Sequence, residues 1–537
     1  MNNFRNIAQF YPPQPQHYRP DIDGLRAIAI ISVVLFHTFP EFLPGGFVGV
    51  DVFFVISGYL ISTIIFRALE KNSFSFFDFY ARRIRRIFPA LCFLLLGVTF
   101  LGALALTPGE FKNLGTQAIY GSAFGENIFL IFNSDGYWDI ATEMKPLMHL
   151  WTLAVEEQYY IFYPFLCWIL WRLKKEVLPT LCILWFISFS LDIYQSQTSP
   201  VVAFFSLHTR FWELCSGCIL ATLLNPNIIS FPLKNKAKLA KDRIINLLPI
   251  FFKHNLSDFG SFFGLTLIFL GIAFSSGSEK FRSLFLLLPV FGTVLIISFK
   301  DSRLNNKILS SRPLVFIGLI SYTWYLWHWP LLSIARNIKG GSLPNNWICS
   351  LLLIIGLVLS IFSYFIIETP IRRKKITQKL TLRLALSVFF CAMLGLVVNS
   401  FNGFPARLGE AASAEESMKN SFPARNEYAE EKFHCSKDMN YCWAPKGSEP
   451  TIALIGDSHA HHLASGLQKN LNKPSLLIGQ AGTPPVIDLI CLRHEKKSEE
   501  PLMTQALKIV NKDTNIKTVV LSSRWSLFTH YKHVPYL

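Results

Sequence analysis

The chain has 537 residues, 51% of them hydrophobic and only 16% charged, with 49 phenylalanines and a mean hydropathy of +0.36. Apolar runs of about 20 residues, the length a bilayer core demands of a helix, recur over roughly the first 400 positions, which excludes an ordinary soluble domain. The net charge of +16 sits mostly in short loops between those runs, where cations orient a membrane protein and meet anionic lipid, so nucleic acid is not the expected partner.

Residues 1–20 are polar and proline-rich without an apolar core, so they do not read as a cleavable signal. Eleven spans follow, at 26–40, 46–66, 87–106, 148–171, 177–193, 201–224, 259–275, 283–299, 313–335, 346–367 and 382–399. With the N-terminus in the cytoplasm, the cytoplasmic loops hold the cation-rich stretches RRIRR (82–86), WRLKKE (171–176), 234–253, 300–312 and IRRKKITQK (371–379). The opposite loops hold few: Lys112, Lys145, Lys280, Arg282, Arg336 and Lys339. This asymmetry predicts an N-in, C-out topology. It divides the chain into a membrane domain over 1–380, an additional span within 381–400, a linker over 401–449 and a soluble α/β domain over 450–537.

In the last segment TIALIG (451–456), SLLIG (475–479) and IKTVVLSS (516–523) read as strands. Helices are expected near 459–470 and 500–511. Cys92, Cys167, Cys182, Cys215, Cys218, Cys349 and Cys391 lie in or beside apolar spans and read as small buried hydrophobes. Cys215 and Cys218 have no second pair, so no metal site is expected. Cys435, Cys442 and Cys491 fall outside the cytoplasm, where disulfides persist. A Cys435–Cys442 bridge is expected, leaving Cys491 odd.

Polar groups within apolar spans carry the chemistry. Arg26 and His37 are eleven residues apart, close to three helical turns, so they share one face roughly 16 Å apart. A histidine that titrates near neutrality is suited to take a proton from a hydroxyl nucleophile, although a hydrogen-bonded core histidine is the plain alternative. ARRIRRIFP (81–89) serves topology, yet its arginines could also clamp phosphate. Glu156 and Glu157 in HLWTLAVEEQYYIFYP (149–164) need partners in an apolar helix, either structural arginines or substrate. Smaller outliers are His208, Arg210 and Glu213 in HTRFWEL, and His328 in ISYTWYLWHWP, whose tryptophans read as an interfacial belt.

Taken together, DGLRAIAIISVVLFH, GGFVGVDVFFVISGYLIS, RRIRRIFP, HLWTLAVEEQYYIFYP, ISYTWYLWHWP and ETPIRR resemble the membrane acyltransferase-3 family across residues 20–373. The resemblance implies an integral-membrane enzyme that moves an acyl group, usually acetyl from cytoplasmic acetyl-CoA, onto extracytoplasmic glycans. It implies that Arg26 and His37 form the Arg-x10-His motif and that Arg83, Arg86, Ile87 and Pro89 form the R-x-x-R-I-x-P motif. Thr152 stands where a serine is commoner.

The outer domain resembles the SGNH hydrolase-like domain fused to many family members. GDSH (456–459) matches its first block and makes Ser458 the expected nucleophile at a strand-to-helix turn. Gly479 or Gly482 would supply the second block. VVLSSRWS offers Ser and Arg where the third block has Asn, and no late Asp-x-x-His block follows, so the domain is expected to be C-terminally incomplete. His461 and His462 follow Ser458 too closely to replace that block, while His530 and His533 are candidates that lack the expected aspartate.

The expected fold is therefore a polytopic α-helical membrane domain of about ten plus one spans and an extracytoplasmic three-layer α/β domain. Acetyl-CoA would be held by Arg26, Arg83 and Arg86. His37 and Ser458 would be catalytic, with Glu156, Glu157 and Arg210 as supporting polar residues and no resident cofactor or metal. The acceptor would be a surface polysaccharide such as lipopolysaccharide O-antigen, with peptidoglycan or exopolysaccharide as alternatives. The expected location is the bacterial inner membrane, with the C-terminal domain in the periplasm. A proton-coupled carrier is the competing class.

Overall fold

The computed structural model describes residues 18–133, 142–174, 176–225, 250–275 and 282–408, together with much of 427–457, residues 460, 463, 464 and 467, and 473–479 and 502–522. The chain forms two units, residues 1–404 and 405–537.

The first unit is a helical bundle. Its helices are α1 (Pro20–Thr38), α2 (Gly49–Glu70), α3 (Phe76–Ala105), α4 (Pro108–Ser122), α5 (Glu126–Phe132), α6 (Leu150–Arg172), α7 (Val177–Thr198), α8 (Pro200–Phe205) and α9 (Leu207–Leu224). After the undescribed 226–249 come α10 (Ile250–Phe274), α11 (Arg282–Ser298), α12 (Arg312–Ile338), α13 (Asn346–Phe362), α14 (Thr369–Arg373) and α15 (Gln378–Ser400). All eleven expected spans fall on helices. Among the described residues, six helical stretches are both long and apolar enough to cross a membrane, and Ser283–Ser298 is a shorter apolar one. Helices α1, α6, α9 and α12 are not among the six. They carry the buried polar side chains Asp21, Asp23, Thr152, Arg210, Glu213 and His328, and polar groups inside a bundle are tolerated only where protein surrounds them.

Local sequence explains where these helices start and how they approach. Pro20 opens α1 with Asp21 and Asp23 in its first turn, where carboxylates suit the unpaired N–H groups. Ser75 caps α3 by accepting from the Asp78 amide. Thr107 and Glu110 form a reciprocal capping box for α4. This helix was not expected: its segment lies in the long third loop of the sequence reading. Helix α4 packs on α15, so its apolar face finds a partner within the bundle. Helices α2 and α9 meet through glycines: a β-carbon on Gly58 would collide with the Leu214 carbonyl, and one on Gly217 with the Val55 carbonyl. Helix α1 lies against α12 and α2, and at Gly318 a β-carbon would strike the Asp23 carbonyl.

The tryptophans of ISYTWYLWHWP do not form an exposed belt. Trp324, Trp327 and Trp329 are 7%, 2% and 2% exposed, because α12 turns them toward α1, α3 and α13 inside the bundle.

The second unit contains a four-stranded sheet of order β1-β3-β2-β4, where β1 is Tyr441–Trp443, β2 is Ile452–Gly456, β3 is Ser475–Gly479 and β4 is Thr518–Ser522. The last three strands are the expected ones, and both β3 and β4 pair parallel to β2. Strand β1 joins antiparallel to β3, Cys442 opposite Ile478, so the stretch expected as linker contributes an edge strand. Ile455 and Ile478 face one apolar cluster that includes Ala429 and Phe433 of helix α16 (Glu427–Phe433) and Met503 and Ala506 of α17 (Leu502–Lys512). Leu454 and Leu477 face the other side with Ala460 and Ala464. A sheet apolar on both faces and covered on both gives three layers. The Cys435–Cys442 disulfide is present and ties the segment after α16 to β1.

Candidate active site

A cavity of about 260 Å³ opens among α1, α2, α3, α6 and α12. Its polar wall contains Arg26 of α1, Ser57 of α2, Arg82, Arg83 and Arg86 of α3, and Glu156 and Tyr160 of α6. The three arginines expected to hold an anion thus converge on one space, though they lie up to 60 residues apart in the chain. The helical phase of α3 sets this: Arg83 and Arg86 are three residues apart, on one face above Ile87, which also lines the cavity.

These arginines are not equivalent. Arg83 donates to Glu157 at 3.1 Å and its guanidinium lies 3.5 Å from the centre of the Tyr160 ring. Arg26 donates to Asp23 at 3.1 Å, one turn back on its own helix. Arg86 makes no hydrogen bond or ion pair among the described residues, yet it lies near Arg26, Arg83 and Arg372, with Glu368 as the nearby carboxylate. A cation crowded by cations in a cavity is a place for an anion.

The paired glutamates divide their work. Glu157 belongs to Arg83. Glu156 accepts from Ser57 at 2.8 Å and from Tyr160 at 3.1 Å, so both of its oxygens are engaged at the cavity wall. Arg210, expected as a supporting site residue, does not line the cavity. It is 1% exposed, pairs with Asp51 at 2.8 Å and Glu213 at 2.6 Å, and donates to the Phe204 carbonyl. Its role is to join α9 to α2, because a buried cation needs local carboxylates. Cys218 donates to backbone carbonyls of Leu214 and Gly58, consistent with a packed thiol.

His37 is on the same helix as Arg26, as the spacing predicts, but it does not line this cavity. Its Nδ1 lies 2.9 Å from Nε2 of His328, with the ring centres 5.2 Å apart and the ring planes within 14° of each other. Trp329 meets the His37 ring edge-on at 4.6 Å. His149, at the head of α6, is 1% exposed and sits edge-on to His328 at 5.9 Å; neither of its ring nitrogens has a hydrogen-bond partner of normal geometry among the described residues. The sequence held a signal for this cluster: a histidine bracketed by tryptophans in one span and another opening a second. Only packing shows that the three meet.

Tyr325 links the cavity to the histidine cluster. Its ring lines the cavity, its hydroxyl accepts from Thr152 at 2.8 Å and donates to the His149 carbonyl at 2.8 Å, and its own carbonyl lies 2.7 Å from His328 Nδ1. The residue at position 152 thus uses the hydroxyl that it shares with the serine commoner in that block.

In the second unit the C-terminal ends of β2, β3 and β4 come together, with Gly456 beside Gly479 on one side and Ser522 on the other. This edge of a parallel sheet is where α/β domains place ligands. A β-carbon on Gly479 would strike the Gly456 carbonyl, so glycine is required for that approach. Asp457, 2% exposed, follows directly. The expected nucleophile Ser458 lies outside the described residues, as do His461, His462, Gly482, Cys491, His530 and His533.

Residues 19–369 match the family described as "Acyltransferase domain", and residues 426–536 match the "SGNH domain (fused to AT3 domains)". The peptidoglycan O-acetyltransferase OatA of Listeria monocytogenes is 34% identical over 369 residues, which are 66% of this chain and 56% of that protein. The putative peptidoglycan O-acetyltransferase YrhL of Bacillus subtilis is 32% identical over 374 residues, 68% of this chain and 56% of that protein. The O-acetyltransferase OatA of Staphylococcus aureus is 32% identical over 382 residues, 69% of this chain and 60% of that protein. The chain thus spans less than two-thirds of these curated relatives. No solved structure matches the chain significantly.

Proposed function

The chain belongs to the membrane acyltransferase family defined by that acyltransferase domain, here fused to an SGNH domain, and from this premise we propose that it is a multi-pass O-acyltransferase of cell-envelope polysaccharide. The single observation that carries the reading is Arg86, a cation without a hydrogen-bond partner among the described residues, in a cavity shared with Arg26 and Arg83. The donor in this reading is acetyl-CoA, entering from the cytoplasmic side where the basic loops lie. Its phosphates would engage Arg86 first, then Arg26 and Arg82. A cavity of about 260 Å³ suits the acyl thioester and part of its arm, leaving the adenosine outside.

His37 would act as the base. The acceptor O–H gives its proton to the His37 imidazole, and the oxygen bonds the acyl carbon. The C–S bond then breaks and the proton passes to the departing thiolate, so the products are an ester and a free thiol. Because the cavity stops short of His37, the acyl end must pass Tyr325 to reach it. The N-terminus would lie in the cytoplasm and the second unit outside, where Ser458 would hand the acyl group to its final hydroxyl. The names of the relatives favour peptidoglycan as the acceptor over lipopolysaccharide.

The test is ester-linked acetate on isolated peptidoglycan and other envelope polysaccharides, compared between cells lacking the protein and cells given back wild type, His37→Ala or Ser458→Ala at matched membrane levels. Ester is expected with wild type and absent with His37→Ala. Equal ester in all strains would overturn the reading, and labelled-solute uptake would then test a carrier.

A further inference from the structure

Building on the reading of His37 as the base, we propose that His328 is a positioning residue: it holds His37 in the tautomer whose Nε2 is free to accept a proton. Nδ1 of His328 lies 2.7 Å from the Tyr325 carbonyl oxygen and 3.2 Å from that of Trp324. Carbonyl oxygens only accept, so this nitrogen carries the hydrogen. In a neutral imidazole the other nitrogen, Nε2, then holds the lone pair. It faces Nδ1 of His37 at 2.9 Å. An acceptor at that distance requires a donor opposite, so Nδ1 of His37 carries its hydrogen and Nε2 of His37 keeps the lone pair.

The surroundings keep this assignment in place. His328 is 2% exposed and lies edge to edge with His37, the ring planes within 14°, and Trp329 closes another side of the His37 ring. A hydrogen bond sheltered from water is strong and directional. When His37 takes up a proton at Nε2, its Nδ1–H still points at His328, now as a charge-assisted bond. A carboxylate performs this orienting role in serine-protease triads; here a neutral acceptor, itself oriented by the helix backbone, performs it. The chain reads from the Tyr325 and Trp324 carbonyls to His328, then to His37, then to the reacting hydroxyl.

Two substitutions separate positioning from packing. His328→Gln puts an amide oxygen where Nε2 stood and can still accept from His37. His328→Leu fills the volume and accepts nothing. In membranes containing the full chain, His328→Leu is expected to lower kcat for acetyl-CoA-dependent thiol release roughly 100-fold, with KM for acetyl-CoA within about twofold. His328→Gln should recover kcat to within about tenfold of wild type. A leucine variant within about threefold of wild type, or glutamine and leucine variants impaired alike, overturns the inference. His37→Ala is run in parallel. If it stays active, the reading of His37 as base fails; if it is inactive while His328→Leu is active, only this inference fails. Independently of any variant's folding, solid-state nitrogen NMR of wild-type protein carrying labelled histidine reads the tautomer directly. A His37 signal protonated at Nδ1 supports the inference, and one protonated at Nε2 overturns it.

Discussion

The guanidinium of Arg83 lies 3.5 Å from the centre of the Tyr160 ring and donates to Glu157 at 3.1 Å, whereas Arg86, one turn further along the same helix, has no such partner among the described residues. Two arginines of one motif are therefore built for different work. Arg83 fastens α3 to α6, and in the proposed function Arg86 receives the anion.

Their substitutions should separate accordingly. Arg86→Gln is expected to raise KM for acetyl-CoA about tenfold or more while the protein folds normally, since a charge-assisted contact is lost. Arg83→Gln leaves the Glu157 carboxylate partly buried without its ion pair and should destabilise the bundle by about 3 kcal/mol. Substrate-dependent rates and the apparent Tm in detergent check the pair. Equal effects of both variants on KM, with no change in Tm, would contradict the division.

Tyr325 spans the wall between the cavity and the histidines, and its hydroxyl is held by Thr152 and the His149 carbonyl. Tyr325→Phe keeps the ring and removes those bonds, at a cost of about 1 kcal/mol each. The expected result is a roughly tenfold fall in transfer rate at unchanged protein level. Thr152→Ser, which retains the hydroxyl, should stay near wild type. Rates measured on both variants decide whether the hydroxyl network matters or the ring alone.

The contact between α2 and α9 depends on the absence of side chains at Gly58 and Gly217. Gly58→Ala places a methyl against the Leu214 carbonyl, and the helices must separate to admit it. Overpacking of this kind costs about 1–3 kcal/mol. A lower apparent Tm and reduced accumulation in the membrane are expected, while Gly356→Ala in α13, where a β-carbon would meet nothing closer than 3.6 Å, serves as a volume control. Normal accumulation and Tm of Gly58→Ala would show that the interface is looser than its geometry.

Much of this was legible from local pattern. Hydrophobic run length located eleven stretches that fall on helices, six of them long and apolar enough to cross a membrane among the described residues, and three of the four described strands of the second unit followed from short apolar runs ending in Gly and Ser. The Arg26–His37 spacing placed both on one helix, and the pairing of Cys435 with Cys442 followed from compartment and proximity. What stayed hidden depended on partners distant in sequence. Nothing in RRIRR distinguishes Arg83 from Arg86, because the difference is whether Glu157 and Tyr160 of another helix face them. Arg210 looked like a site residue in HTRFWEL, and only the neighbouring Asp51 of α2 made it structural. The tryptophans around His328 carried the composition of an interfacial belt, yet α12 buries them.

Sequence by itself determined the helices, the two-unit organisation and the presence of arginine, histidine and carboxylate within apolar segments, because those properties depend on periodicity and on the cost of polar groups in an apolar setting. Tertiary structure alone decided which arginine has no hydrogen bond or ion pair among the described residues, that Tyr325 both lines the cavity with Arg26 and accepts from His328, and that His328 is the partner of His37. Those are questions of which side chain meets which across 291 residues of chain, and only the packing of α1 against α12 answers them.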